Sequence, residues 1–456
     1  MPTSLPGPPR RVHMTRLLRV ASLVALVAGT GCGGFSITGS GGNAVATVAV
    51  TLPSAILVGD TVLATAEARD ASGARLARTF TWSSSNPAVA SITPAGQLVG
   101  VAQGGPVTIT ATVEGKSGTG SISVTNDNRI GYALADQASV AGPYAPNASF
   151  EFNSSGGAIQ VTRSATGVYS VRFSGLGRLA GERDNVQVTA FGGDNGYCKT
   201  GGWQSAGADM LVEVRCFAQG GPPVDHRFTV LLTGAHALPG RFAFLLSDNP
   251  PGAGTLDPAT FSTSGVLTDV HVTRDSAGSY KGYLGVPRVA GSGHETVLAT
   301  AVGTGPERCS PNWDETIGVA LVECNAGVNN TFVDTRFSVL WVERGRLGQR
   351  FGYAFANEGV NVGDYTPPPN YSFNSGGGTI IQQHPAAGQF NVTFGGLAKL
   401  GAATETVMIM KVINPGPRCG TSGWANSGAN DLTVNVVCWL PNGTPADAAF
   451  VILLIQ

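Results

Sequence analysis

The sequence predicts an all-β protein of several domains, and three observations carry that expectation. Apolar and polar residues alternate over short stretches, broken about every 8–12 residues by Gly, Pro, Asn or Ser, as strands and turns do. No long segment keeps the spacing of an amphipathic helix. The 456 residues exceed one domain, and usual domain sizes give about three or four. Only 12% of residues are charged, yet 42% are hydrophobic, enough to fill cores, so the low charge does not signal disorder. A formal net charge of -1 gives nucleic acid or an acidic substrate no electrostatic reason to bind.

Residues 1–32 read as an export leader. Arg16 and Arg19 supply a basic start, Leu23 to Ala28 an apolar stretch too short to remain as a bilayer-spanning helix, and small residues precede Cys32. Met14 serves as a start as well as Met1 does. Gly29-Thr30-Gly31-Cys32 resembles the bacterial lipobox, in which the cysteine becomes the lipidated first residue of the mature chain. That resemblance implies the membrane as a partner, through a lipid anchor at Cys32, and a place in the bacterial cell envelope or at its surface. Gly29 departs from the aliphatic residue of the lipobox, so cleavage without lipid, giving a secreted product, stays open. Residues 33–43, rich in Gly and Ser, then form a flexible tether.

Residues 44–125 show clear strand patterning. Val48, Val50 and Leu52 alternate with small or polar residues, and Val107, Ile109, Ala111 and Val113 alternate mainly with threonines, so one face is buried. Trp82 precedes an Asn86-Pro87 turn, and Gly96 and Gly104-Gly105 mark further turns. Leu57-Val58-Gly59-Asp60-Thr61, Trp82-Ser83-Ser84-Ser85-Asn86-Pro87, Ala88-Val89-Ala90 and Gly104-Gly105 before Val107-Thr108-Ile109-Thr110-Ala111 give this segment its resemblance to the bacterial immunoglobulin-like group 2 family. The resemblance implies the seven-stranded β-sandwich of invasin- and intimin-like surface proteins, used as a spacer or adhesive module, with Trp82 in its core.

The rest of the chain repeats with a period of about 110 residues. Trp203, Trp313 and Trp424 are 110 and 111 residues apart, and Cys198, Cys309 and Cys419 are 111 and 110 apart. Closing strands recur at Arg227 to Leu232, Arg336 to Trp341 and Ala449 to Leu454. Such a unit is long enough for its own core, so residues 129–234, 238–344 and 349–456 are expected to be tandem β-sandwich-like domains. They are similar to uncharacterised extracellular repeats found beside immunoglobulin-like domains in bacterial surface proteins. The expected architecture is thus an immunoglobulin-like β-sandwich followed by three β-sandwich-like repeats, each with one disulfide.

The seven cysteines divide as Cys32 in the leader and two in each copy, which pairs Cys198 with Cys216, Cys309 with Cys324, and Cys419 with Cys438. The second cysteine of each pair stays in register with inward-facing strand residues, and such a loop closure stabilises by about 3 kcal/mol. No CxxC or close histidine pair offers a zinc site, and no cofactor motif occurs.

Two sets of acids recur, Asp184, Glu295 and Glu405 before one strand, and Asp225, Asp334 and Asp447 before another. They read as strand-end and turn residues rather than as a general acid and base. His13, His226, His236, His271, His294 and His384 share no repeated position and read as surface residues. Trp203, Trp313 and Trp424 have two readings: core residues packed beside the disulfides, or a platform on which sugar rings stack with the avidity of an array. The resulting expectation is a non-catalytic exported surface lipoprotein that binds, adheres or displays. Carbohydrate recognition through the three tryptophans, and a purely structural envelope or stalk role, are the alternatives; a surface protein or a polysaccharide is the expected partner.

Overall fold

The computed structural model describes residues 44–58, 61–102, 104–125, 129–178, 183–234, 242–247, 261–262, 270–285, 295–314, 318–343, 350–357, 363–412 and 416–456. Cys32, the leader, the tether, His13, His236 and His294 lie outside these residues. Every described element is a strand except two single-turn 3-10 helices, Ala148–Phe150 and Pro369–Tyr371.

In the first domain, Thr47–Thr51 pairs antiparallel with Thr65–Arg69; past Pro53 the chain crosses over, and Ala55–Leu57 runs parallel to Ser123–Thr125. One stretch of chain therefore serves two sheets. Leu98, Val107, Ile109, Ile122 and Val124 are buried between the sheets, and Trp82 packs against this cluster while partly buried. Gly96 turns beneath that indole at φ +82, where an added Cβ would stand 2.9 Å from the Ala64 carbonyl oxygen.

Each C-terminal copy is a two-sheet sandwich. In copy one an inner sheet orders Glu151–Asn153, Ile130–Ala135, Arg227–Gly234 and Asp184–Phe191; an outer sheet orders Gly142–Tyr144, Ile159–Ala165, Val168–Phe173, Asp209–Phe217 and Tyr197–Ala206. Val186, Val188, Phe228, Val230 and Leu232 point from the inner sheet toward Val171, Val212 and Val214 of the outer one. Corresponding pairs of sheets form copies two and three.

Tandem copies with separate cores were expected; each copy does have its own core, and the structure adds joins between the copies. Phe191 at the edge of copy one's inner sheet pairs in parallel with Thr421 of copy three, so the two sheets run on as one of eight strands. Thr200 at the edge of copy one's outer sheet pairs with Val302 of copy two's inner sheet, giving nine strands. Copy two's outer strand Arg308–Asp314 lies against copy three's inner strand Thr406–Lys411 without a ladder. There Pro311 stands where the other copies have Thr200 and Thr421, and a proline has no N–H to donate. Three seams close a ring, so the copies form one pseudo-threefold head.

The inner sheets turn their second faces toward the axis of that ring. Tyr132 and Leu231 of copy one meet Phe242, Phe244, Leu298 and Leu340 of copy two and Phe351, Tyr353, Met408 and Leu453 of copy three in a single buried cluster. Polar groups lock the register inside it. Asn185 Nδ2 donates to Ser338 Oγ at 2.6 Å and to the Val339 carbonyl at 2.9 Å, and Thr189 Oγ1 accepts from Ile409 N at 3.0 Å.

Copy two also lacks the bulge of its siblings. At Thr200–Gly202 and Thr421–Gly423 the ladder slips a residue, and in both the threonine Oγ1 accepts from the glycine N–H at 3.1 Å. The ladder Arg308–Asp314 runs without a slip, which accounts in part for the shorter cysteine separation of 15 against 18 and 19.

A chain cut after Glu343 would expose the parts of the axial cluster that copies one and two supply. It is expected to elute as an oligomer and to lack the cooperative unfolding of the full head, read by size-exclusion chromatography and calorimetry. A monomeric fragment unfolding in one sharp transition would show that the copies do not depend on one another.

Candidate functional site

Each copy carries one disulfide: Cys198–Cys216, Cys309–Cys324 and Cys419–Cys438. The partners sit directly opposite each other on neighbouring strands, and Cys216, Cys324 and Cys438 are fully buried.

Each tryptophan packs against the core of its own copy, as one of the two readings expected, and Trp424 and Trp313 also face a neighbouring copy. Trp424 is 9% exposed and holds Phe150 and Phe191 of copy one edge-on, with ring centres at 5.4 and 5.7 Å. Trp313, partly buried, donates through Nε1 to Glu295 Oε1 at 2.5 Å and shares a recess with Phe355, Tyr371 and Val412 of copy three. Trp203 packs on its own core, and its other side borders an open depression lined by Tyr169, Gln204, Glu213 and Arg336. The next copy in the ring covers Trp424 and flanks Trp313, so the three do not form one exposed array.

The recurring acids do not meet. Asp184 begins a strand whose far end, Phe191, is level with Arg227 just after Asp225, about 23 Å away at ~3.3 Å per residue. Asp184, 2% exposed, is held by Arg129 Nη1 at 2.7 Å and Arg178 Nε at 2.5 Å. Glu295 also accepts from Trp341 Nε1 at 3.1 Å, and Glu405, whose carboxyl is raised by burial, accepts from Gln456 Nε2 at 3.2 Å. The second set clasps hairpin turns. Asp225 accepts from Arg163 Nε at 2.8 Å and Gly167 N at 2.9 Å; Asp334 accepts from Arg274 Nε and Gly278 N, each at 2.9 Å, and from the Tyr280 hydroxyl at 2.7 Å. The neighbouring guanidinium holds both carboxyls below the usual range.

Two histidines read as surface residues are drawn into the fold instead, His226 buried and His384 partly buried. His384 Nε2 donates to Asp447 Oδ1 at 2.8 Å, taking in copy three the place of Arg163 and Arg274. His226, 6% exposed, donates through Nε2 to Asp194 and through Nδ1 to the Arg227 carbonyl, both at 2.6 Å. Acceptors at both nitrogens favour the protonated ring. Burial pushes its pKa down, but Asp194 and the carbonyl push harder, so it is raised; the same bond lowers Asp194 to about 2.

The residue preceding the first cysteine of each copy had drawn no notice in the sequence, yet these three meet at the axis. Arg418 and Arg308 lie with Cζ 4.5 and 5.8 Å from the centre of the Tyr197 ring. They border a cavity of ≈ 70 Å³ together with Lys199, Lys411 and Trp439. Lys199 Nζ is paired with Glu307 Oε2 at 2.8 Å. Burial, then the charge of Arg418, pushes Arg308 down to about 10, and burial lowers Lys411 to about 8. The cations are scattered between residues 199 and 418, so only the ring closure assembles them. Among the described residues, no group of three or more His, Cys, Asp or Glu is placed to hold a metal ion.

Residues 44–125 match the family of bacterial Ig-like domains, group 2, as the segment's motifs implied. Among solved structures, the chain is similar to domains 4 and 5 of the S-layer protein SbsC, at 16% identity over 41% of this chain and 92% of that one, with a TM-score of 0.23. It is also similar to SbsC residues 31–844, at 14% identity over 62% of this chain and 36% of that one, with a TM-score of 0.24. Among curated proteins none matches the chain. A bacterial Ig-like domain joined to three disulfide-bearing β-sandwiches marks an extracellular or cell-surface protein.

Trp424→Ala is expected to cost about 3–5 kcal/mol, the usual loss for a large buried aromatic, and Trp203→Ala clearly less. Urea denaturation checks the order, and equal losses would mean that the neighbouring copy adds nothing at the seam. A second expectation concerns pH. Asp194, lowered to about 2 from 3.8, stabilises above its ordinary value and loses this as pH falls; His226, raised from 6.5, stabilises below that value and loses this as pH rises. The cost of Asp194→Asn should therefore peak between about pH 4 and 6.5 and stay near or below about 1 kcal/mol, since Asp194 is exposed and screened. Denaturation midpoints of both proteins from pH 3 to 9 would show this, and a pH-independent difference would contradict it.

Proposed function

We propose that the protein is a non-catalytic surface lipoprotein that displays a rigid three-lobed head beyond an Ig-like spacer, for binding or adhesion. The observation that carries this reading is the way the chain enters and leaves the head. Ile130, five residues after the Ig-like domain ends at Thr125, is level with Asn185 near the start of one inner strand and Thr233 near the end of another. Copy three's first strand begins at Phe351, which pairs with Ile455. The connection to the spacer thus gathers at one end, and in copy one the loops at 136–141, 192–196 and 218–226 are carried at the other. Disulfides and a shared core suit such a head to the outside of a cell. A lipid at Cys32 would anchor it through the Gly/Ser tether.

The open depression beside Trp203 favours a second reading, recognition of a polysaccharide by stacking at that one copy. A stalk or envelope role would need no such recess.

Mass spectrometry of the mature N-terminus is expected to find a diacylglycerol-modified Cys32, and protease treatment of intact cells to remove the head. An unmodified terminus elsewhere, or a head that resists protease until cells are lysed, overturns surface anchoring. Pull-down on insoluble envelope polysaccharide with Trp203→Ala decides the second reading: binding lost while the melting temperature holds would support it.

A further inference from the structure

The axial cavity carries a feature that display alone does not require. Its buried nitrogens without a partner are all donors: Arg308 Nη1, Arg418 Nε and Trp439 Nε1 meet no acceptor among the described residues. Arg418 is 7% exposed and Lys411 9% exposed. Glu307 is already taken by Lys199, and Lys411 feels the opposite charge of Glu323. Three cations therefore gather in a poorly solvated space, and no carboxylate acts on either arginine among the described residues. Leaving buried donors unmet costs about 1–3 kcal/mol each, more where they are charged. Like charges confined together add to that cost unless a counter-charge offsets them.

We infer that this cavity binds one tetrahedral oxyanion of the phosphate or sulfate class, held by Arg308, Arg418, Lys411 and the Trp439 indole. Each part of that assignment has a reason. Donors without acceptors select a guest that only accepts, and cationic donors select an anion. Two of the three copies supply them around an axis, which suits a tetrahedral ion with several oxygens better than a planar carboxylate. A water needs about 10–15 Å³ of such space, so ≈ 70 Å³ admits a small oxyanion and excludes a sugar ring.

Position fits a ligand arriving from outside. The cavity is bordered by Val188 to Ala190, at the far end of a strand that begins level with Ile130, and so lies away from the spacer. The free ion and the phosphate or sulfate group at the end of an envelope polymer share this chemistry. The site rests on the geometry of the head and not on its display, so the two readings fail separately.

The test is calorimetric titration of the full mature protein with inorganic phosphate and with sulfate at constant ionic strength in chloride. One saturable site per chain is expected, with a melting temperature a few degrees above that in chloride alone. Lys411→Met should weaken binding roughly 10- to 100-fold, the loss of one charge-assisted contact. Arg418→Gln should do the same, while Lys116→Gln in the Ig-like domain should bind as the parent does. If Arg418→Gln fails to fold, Lys411→Met carries the test alone. Glycerol 1-phosphate separates the sources: competition with phosphate assigns the end of a polymer, and its absence assigns the free ion. No saturable heat from either anion, or parental affinity in folded Lys411→Met, overturns the assignment and leaves water to serve the donors.

Discussion

The head depends on one constraint, that its inner sheets are buried on both faces. A sandwich needs to bury only one face of each sheet, and the outer sheets do no more: Asp209–Phe217 alternates buried and partly exposed residues along most of its length. The inner strands differ, as in Phe450–Ile455, where every residue is buried. Their second faces find cover only against the other two copies. Ring closure is therefore a condition for burying this apolar surface, at roughly 25 cal/mol per Å² removed from water. The seam tryptophans, the axial cluster and the positions of both chain ends follow from it.

Polar residues on the inner faces show how the arrangement is made unique. Apolar contacts alone would let the sheets slide; Asn185, Gln187 and Thr189 each reach a particular partner in another copy. Buried amides and hydroxyls gain little net energy when satisfied but lose much when shifted. They act against wrong registers more than they stabilise the right one.

Much of the fold was legible in the residues. Alternation gave the strands of the Ig-like domain, and triplicate spacing of cysteines and tryptophans revealed the repeat because strict periodicity has few other causes. The ring was also written there, though in a quieter form. Runs such as Phe242 to Leu246 and Phe450 to Ile455 are apolar without alternation, the mark of strands covered on both sides. Taken simply as closing strands, they suggested self-contained sandwiches. These histidines escaped notice for a different reason: the turn clasp keeps its aspartate but changes its donor, so His384 looked unrelated to Arg163 and Arg274. The axial cations could not be found by pattern at all. Lys411 and Arg418 become neighbours of Arg308 only once three distant segments converge, and a net charge of -1 conceals them.

Copies linked in one chain have a freedom that identical subunits lack. On the axis of a homotrimer each residue is present three times, so any charge placed there is tripled and any pocket is forced to be symmetric. Here the position before the first cysteine is Tyr197, Arg308 and Arg418, and the one after it is Lys199, Ser310 and Gly420. One ring can meet two guanidinium groups, and a lysine can stand where another copy has a serine, because each copy mutates alone. Gene triplication thus preserves the closed architecture while releasing its centre from symmetry, and the centre is where the copies have diverged into different chemistry.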